Sequence, residues 1–410
     1  MKSITALLAA SLLTAAAASP LHLPSLTLEK RAIPSDLSNL TIAAVRAAPV
    51  NWKMPILDDD WTGITYDLNG TVDYGVELIA QAASAGASVV AFPECWFPGY
   101  PKGSDDEWRA THLADYIENS LVVDSPQWNK LLQAASDNAV YVGLGYTERE
   151  GDKIYMAQAL VDPQGQVLIH RHKLRPSGGE RTLFSDGTID QLEVVSTPIG
   201  RISMLECWEH YHPSMTFPIQ VQTPDLHIGP FPYQTYRNDT NGGFWEVAET
   251  NWGAVRTFGI SAGAVTVTPA IGGAIIMSAV GETLAESDGA TNIVSEPIIY
   301  ASVNATAFRN VTYDVNSEQS WGILKQIEAA IPDYIPRENG TFVNQVNNSL
   351  TDLLASVNAS TTLDLTDGNT TATAGSAAAA QQSSTSGAAF STPFAAMGLI
   401  ATGLGALALL

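Results

Sequence analysis

Cysteine is nearly absent from this chain: two residues, Cys95 and Cys207, in 410. That excludes a disulfide framework, so the fold must rest on its own core, as a domain of roughly 300 residues can. Basic residues are scarce as well, with 20 Lys and Arg against 42 Asp and Glu and a formal net charge of −22. Such a surface repels phosphate backbones, which argues against a nucleic-acid partner and against charge-driven binding to an anionic membrane. Residues 361–386 have almost no large apolar side chain, and residues 394–410 carry no charge at all. What the chain has in quantity is packing material. Hydrophobic residues make up 45% and charged ones 15%, the balance of a globular core. The length allows one large domain or two ordinary ones.

The two ends read as processing signals. Residues 1–18 combine Lys2, a short apolar run over 4–13 and small residues over 15–18, the parts of a secretory signal peptide. Residues 19–31 end in Lys30-Arg31, which reads either as the cleavage site of a propeptide or as two solvated charges. Asn-X-Ser/Thr sequons at Asn39, Asn69, Asn238, Asn304, Asn310, Asn339, Asn347, Asn358 and Asn369 point to a glycosylated, exported protein. A folded domain is expected over 32–335 and a Ser/Thr/Ala-rich glycosylated stalk over 336–386, the latter opening with one short amphipathic helix marked by Val343, Val346, Leu350, Leu354 and Val357. Small residues Ser383, Ser384, Ser386 and Gly387 followed by an uncharged apolar tail make 387–410 a GPI-attachment signal; a transmembrane anchor fits less well, because no Lys or Arg follows to stop transfer.

Between the ends, periodicity predicts strands over 41–48, 88–92, 140–144, 259–265, 273–279 and 298–303. Helices are predicted over 72–85, 113–121, 128–135 and 244–251. Asp162-Pro163-Gln164-Gly165 and Thr197-Pro198-Ile199-Gly200 each mark the turn of a hairpin. Strands alternating with helices and then with hairpins predict an α/β sandwich, helices outside and sheets within.

Three segments concentrate chemistry at strand ends. Glu94 lies in Phe92-Pro93-Glu94-Cys95-Trp96-Phe97-Pro98-Gly99-Tyr100-Pro101, Lys173 in His170-Arg171-His172-Lys173-Leu174-Arg175-Pro176, and Cys207 in Leu205-Glu206-Cys207-Trp208-Glu209-His210. A cysteine at a strand end can be core filler, a disulfide half or a nucleophile. A carboxylate, an ammonium and a thiol at one sheet rim would divide the labour of covalent hydrolysis. The thiolate attacks, the carboxylate takes its proton and later activates water, and the ammonium stabilises developing negative charge. His170-x-His172 and His210-x-His212 offer pairs of metal ligands but no third partner in the sequence, so no metal is assigned. Gly143-Leu144-Gly145 lacks the third glycine of a dinucleotide loop.

The order and surroundings of Glu94, Lys173 and Cys207 resemble the nitrilase, or carbon–nitrogen hydrolase, superfamily over residues 41–303. Phe92-Pro93-Glu94 with Pro98-Gly99-Tyr100-Pro101, His172-Lys173-Leu174-Arg175-Pro176 with Glu180-Arg181, and Cys207-Trp208-Glu209-His210 resemble its nitrilase branch. The resemblance implies an α-β-β-α sandwich that pairs into an α-β-β-α-α-β-β-α homodimer. It implies a cofactor-free Glu94–Lys173–Cys207 triad acting on a small nitrile or amide, with Glu180, Tyr100 and Trp208 positioning or lining. The chain departs from the branch where a Gly-His-Tyr-Ser-Arg-Pro-Asp-like stretch is expected: it reads Asp314-Val315-Asn316-Ser317-Glu318-Gln319-Ser320-Trp321-Gly322. Glu206, beside the nucleophile, is expected to point away from Cys207 by strand alternation. Two other readings stay open, a secreted amidase of the pantetheinase and biotinidase branch and a non-catalytic GPI-anchored surface protein. A Cys95–Cys207 disulfide that switches the enzyme off in an oxidising exterior is a further expectation.

Overall fold

The computed structural model describes residues 39–52, 60–102, 104–238, 243–287, 293–305, 318–335 and 343–357. The signal, propeptide and GPI expectations, and the low-complexity stretch 361–386, lie outside these residues. In chain order the elements are β1 (Leu40–Val45), α1 (Leu68–Ser84), β2 (Val89–Ala91), α2 (Asp106–Glu118), α3 (Pro126–Asn138), β3 (Tyr141–Glu150), β4 (Lys153–Val161), β5 (Val167–His172), β6 (Val195–Thr197), β7 (Gly200–Met204), α4 (Pro213–Gln220), β8 (Leu226–Ile228), α5 (Ala248–Ala262), β9 (Val265–Thr268), β10 (Ile275–Met277), β11 (Thr283–Glu286), β12 (Ile298–Val303), α6 (Glu318–Ala329) and α7 (Leu350–Ser356).

Two six-stranded sheets result, ordered β12-β1-β2-β3-β4-β5 and β11-β10-β9-β8-β7-β6. Strand alternation sorts their side chains. Ile42, Ala44, Val89, Ala91 and Leu160 face the second sheet and pack on Ile202, Met204, Leu226, Ile228 and Val267. Ala43, Val45, Val90, Val142 and Leu144 face outward, where Val72, Leu78 and Ile79 of α1 and Leu131 and Ala135 of α3 cover them. On the far side Phe258 and Ala262 of α5 meet Ile219 of α4. Helices, sheet, sheet and helices therefore stack in the expected α-β-β-α order.

The local signals explain most boundaries. Asp67 caps α1 by accepting from Gly70 N–H at 2.9 Å, and Ser125 caps α3 with Pro126 in its first turn. The β4–β5 hairpin turns where Asp162 Oδ1 accepts from the N–H groups of Gln164 and Gln166, both at 2.8 Å.

One stretch differs from expectation. The predicted helix over 244–251 and strand over 259–265 are instead a short 3-10 turn, Phe244–Glu246, and a single helix, α5, that runs on to Ala262. Gly263, at φ 68°, ends that helix, and β9 starts at Val265. Gly259, the first residue of the predicted strand, instead lies in α5 and serves packing: a Cβ there would lie 2.8 Å from Thr266 Cγ2 of β9. The central strand β8, three residues long, has too short a pattern to be predicted at all.

Residues 343–357, within the stretch read as a stalk, lie on the folded body. Asp186 N–H donates to Val346 O at 2.9 Å, and Val346 N–H to Asp186 Oδ2 at 2.8 Å. Asn348 Nδ2 donates to the carbonyls of Arg181 and Phe184, both at 3.0 Å. Leu350 and Leu354 of α7 are buried in the same hydrophobic cluster that α1 and α2 enter. Among the described residues no helix is long and apolar enough to cross a membrane.

Candidate active site

Glu94, Lys173 and Glu180 converge in the interior. Glu94 follows β2, Lys173 follows β5 directly, and Glu180 sits in a 3-10 turn, Gly178–Thr182. Lys173 Nζ donates to Glu94 Oε1 at 2.7 Å and to Glu180 Oε2 at 2.9 Å. Glu180 is held in turn by Ser177 N–H on Oε2, at 2.5 Å, and by the Tyr100 hydroxyl on Oε1, at 2.8 Å. Glu94 and Lys173 are almost wholly removed from solvent. The close approach of the Glu94 turn to β3 requires Gly145, where a Cβ would meet Pro93 O at 2.2 Å. That requirement explains the second glycine of Gly143-Leu144-Gly145.

Cys207 opens a 3-10 turn, Cys207–Tyr211, at the end of β7 and has φ 44°, a left-handed conformation that a residue with a Cβ adopts only under constraint. Its N–H donates to Pro230 O at 2.8 Å, and the Trp208 N–H faces its sulfur. Behind it a chain of neutral polar groups fixes the turn. His210 Nδ1 bonds Cys207 O at 2.7 Å, His210 Nε2 meets His227 Nε2 at 2.8 Å, and His227 Nδ1 meets Ser203 Oγ at 2.8 Å. Burial lowers the His210 pKa to about 4, so these imidazoles are uncharged at neutral pH.

Glu209 ties the Cys207 turn to the strand that ends at Lys173. Its Oε2 accepts from Glu206 N–H at 2.7 Å, and its Oε1 from Leu174 N–H at 2.8 Å and Arg171 at 2.6 Å. Arg171 also donates to Gln158 Oε1 at 2.6 Å. Sequence reasoning assigned no role to Glu209 or Arg171. The signal was available, because an acid two residues after Cys207 stands where a short helical turn needs an acceptor for its first N–H groups.

The electrostatics suit acid–base work. Burial raises Glu94 to about 7; Lys173 opposes this, and the Glu180 charge adds to it. Burial, then the Glu94 charge, holds Cys207 well above the ordinary thiol value, so it rests as a thiol. Burial acts to discharge Lys173, but Glu180 and Glu94 outweigh it and keep the ammonium. Glu94 Oε2 is buried and has no hydrogen-bond partner among the described residues, which leaves that carboxyl oxygen open to accept a proton.

Of the remaining expectations, Tyr100 is joined to Lys173 through Glu180 and packs beside Tyr233, ring centroids 5.8 Å apart. Trp208 follows Cys207 and packs on Tyr211. Glu206 is fully buried, and its acid is pushed well up, first by burial and then by the Glu94 charge. Both cysteines are free thiols, and they pack in different clusters: Cys95 among Phe92, Trp96 and Tyr116, Cys207 among Phe231 and Trp252. A cleft of about 330 Å³ opens elsewhere, between α4 and α5, lined by Tyr211, Pro213, Thr216, Gly253 and Thr257. Glu94, Lys173 and Cys207 do not line it. Of the two histidine pairs, His170 and His172 do meet a third ligand type, Glu148, which the sequence did not reveal, whereas His212 is exposed.

A carbon-nitrogen hydrolase family profile matches residues 41–310. A nitrilase of Talaromyces marneffei is 36% identical over 204 residues, covering 47% of this chain and 62% of the relative. An arylacetonitrilase of Aspergillus kawachii is 37% identical over 201 residues, 47% of this chain and 60% of the relative. A nitrilase of Pseudomonas syringae pv. syringae is 33% identical over 259 residues, 62% of this chain and 71% of the relative. The chain thus spans about 60% of the length of the two fungal relatives. Among solved structures, a cysteine-to-alanine mutant of the Nesterenkonia AN1 amidase from the nitrilase superfamily gives a TM-score of 0.53 at 17% identity, covering 72% of this chain and all of that one, a likeness of fold.

Proposed function

Given that the chain belongs to the carbon-nitrogen hydrolase family, on its nitrilase branch, we propose that it is an extracellular nitrilase converting a nitrile to a carboxylic acid and ammonia. The observation that carries this reading is the buried ammonium of Lys173 shared by Glu94 and Glu180, with Glu94 Oε2 left open. Cys207 attacks the nitrile carbon as its thiol proton passes to Glu94, whose value near 7 suits both taking and returning a proton. The nitrile nitrogen takes a proton, giving a thioimidate. Water activated by Glu94 adds to it, ammonia leaves, and a thioester remains. A second water releases the acid and restores the thiol. Lys173 stabilises negative charge on the tetrahedral species, and Glu180 holds Lys173 in place. Tyr100 and Trp208 border the substrate.

Export is supported by the signal-like residues 1–18 and by the sequon asparagines Asn39, Asn69, Asn238, Asn304 and Asn347, all exposed. The C-terminal sequence supports a GPI anchor, which phosphatidylinositol-specific phospholipase would cut; surface protein that resists release while keeping its C-terminus would favour a membrane span. Homodimer formation is supported by α6, which exposes Trp321, Ile323, Leu324 and Ile327.

The functional test is ammonia release from a panel holding an arylacetonitrile, an aliphatic nitrile, cyanide and an amide. The expected result is turnover of at least one nitrile by the wild type and none by Cys207→Ala. Turnover of amides alone would transfer the protein to the amidase reading. Activity in Cys207→Ala would refute the mechanism.

A further inference from the structure

Strands β3 and β5 are not neighbours; β4 lies between them. Their side chains nevertheless meet. In the register, His172 lies opposite Ala157 and Ala157 opposite Tyr146, while His170 lies opposite Ala159 and Ala159 opposite Leu144. Glu148 is two residues beyond Tyr146 on β3, so Glu148, His170 and His172 share one face of the sheet, the face that α3 covers. The residues crossed on β4 are alanines, whose methyl groups leave a trough between the outer strands. Across it Glu148 Oε2 lies 2.7 Å from His170 Nε2 and 3.1 Å from His172 Nε2, and the three ligand atoms are all within 4.8 Å of one another.

The surroundings hold these groups in place. The Tyr155 ring stacks on His172, centroids 3.8 Å apart and planes at 4°. Trp128 packs against His170 at 6.4 Å, and the Tyr146 hydroxyl donates to Glu148 Oε2 at 3.3 Å. Glu148 and His172 are buried, whereas the His170 side chain is 37% exposed, which leaves a route in from solvent.

We propose that Glu148, His170 and His172 form a divalent-cation site of the zinc type, separate from the triad, that staples β3 to β5 across β4. Two imidazoles and one carboxylate suit zinc or cobalt better than magnesium or calcium, which take oxygen ligands. Tetrahedral zinc with bonds of about 2.0–2.1 Å needs donor atoms about 3.3 Å apart, so the Glu148 carboxylate, 2.7 Å from His170 Nε2 and 3.1 Å from His172 Nε2, has to draw back by about half an ångström to admit the ion. Each imidazole coordinates through the Nε2 lone pair, its proton moving to Nδ1 or to solvent, and water entering beside His170 takes the fourth position. Lys173 follows His172 directly, and strand alternation sends it to the other face, so the ion steadies the strand that delivers the lysine without entering the reaction.

The test uses the full-length protein, purified without a polyhistidine tag and stripped with a chelator. Titration calorimetry with zinc chloride should find one equivalent bound at micromolar affinity or tighter, and cobalt chloride should give the visible bands of a tetrahedral ion. Because loss of an outer partner alone weakens metal sites about 10–100-fold, His170→Ala and Glu148→Gln should each weaken binding by about 100-fold or more. His170→Gln, at the exposed position, repeats the test should either variant fold poorly, and His212→Ala should bind as the wild type does. Zinc should raise the Tm of the wild type and leave that of His170→Gln unchanged. No saturable binding to the stripped wild type, or binding undiminished in His170→Gln, would overturn the site.

Discussion

Glu94 and Glu148 are both buried, and each meets side chains delivered by the end of β5: Glu94 meets Lys173, and Glu148 meets His170 and His172. Their acidities nevertheless move in opposite directions, Glu94 up to about 7 and Glu148 down to about 2. Burial pushes both upward and is the largest influence on each. At Glu148 two imidazole hydrogen bonds and their charge overcome it. At Glu94 one ammonium is divided between two carboxylates, so its help is incomplete, and the Glu180 charge pushes Glu94 further up. One cation between two acids yields a base that can exchange protons near neutrality. One acid between two imidazoles yields a fixed anion. The ratio of partners, more than burial, separates a group suited to catalysis from a group suited to structure.

The strongest way to break this contrast is to remove the shared cation. Lys173→Met keeps most of the side-chain volume but leaves Glu94 and Glu180 buried with no cation between them. We expect kcat to fall by about 10³-fold or more, since loss of one stabilising donor in such a site costs about 10²–10³-fold and the base is perturbed as well. Single-turnover kinetics against the best nitrile would measure it, and a variant within tenfold of wild type would refute the role of Lys173. Glu180→Gln should cost less, about 10–100-fold in kcat/KM, because the glutamine keeps an oxygen for Lys173. It also removes a charge that raises Glu94. In the proposed mechanism Glu94 acts when deprotonated, so activity falls as pH drops through its pKa; the acidic limb of kcat/KM should therefore stand near pH 7 in the wild type and move to lower pH in Glu180→Gln. A limb that stays in place would mean that Glu180 does not act through Glu94.

Glu94, Lys173 and Cys207 stood out in the sequence because each sits at a predicted strand end, within segments distinctive enough to be recognised in order. The sandwich was legible because strand and helix periods alternate cleanly around β1, α1 and β2. What the sequence hid depends on partners distant in the chain. Glu148 reads as one charge in the run Glu148-Arg149-Glu150, and only the register through Ala157 and Ala159 brings it to the histidines. Glu206 reads as a residue turned away from the nucleophile, and nothing local says that it is sealed in the core. The stretch around Gly259 reads as a strand because the close approach of Thr266, which explains the glycine within a helix, is a tertiary fact.

The structural side of the contrast should respond to substitution in stability rather than in rate. Glu148→Gln, studied with chelator present, loses a charged acceptor for two imidazoles. Hydrogen bonds to charged groups contribute about 1.5–3 kcal/mol, and we expect a loss in that range by urea denaturation with kcat kept within about threefold. A loss of kcat comparable to that of Glu180→Gln would erase the distinction between the two glutamates.

The smallest effect tests how far the support of the site extends. Asn348, on the segment that leads into α7, donates to the carbonyls of Arg181 and Phe184, and so braces from outside the turn that holds Glu180. Arg181 and Arg175 share Asp186, which also accepts from Val346 N–H, so the same turn is joined to the segment through several bonds. Because Asn348 is one brace among several, Asn348→Ala should cost about 1 kcal/mol in stability and lower kcat/KM only a few-fold. The informative readout is the pH profile. If the segment merely adds stability, the acidic limb stays at the wild-type position. If it holds Glu180 against Lys173, the limb shifts in the direction expected for Glu180→Gln, by a smaller amount, and the C-terminal segment then belongs to the support of the active site.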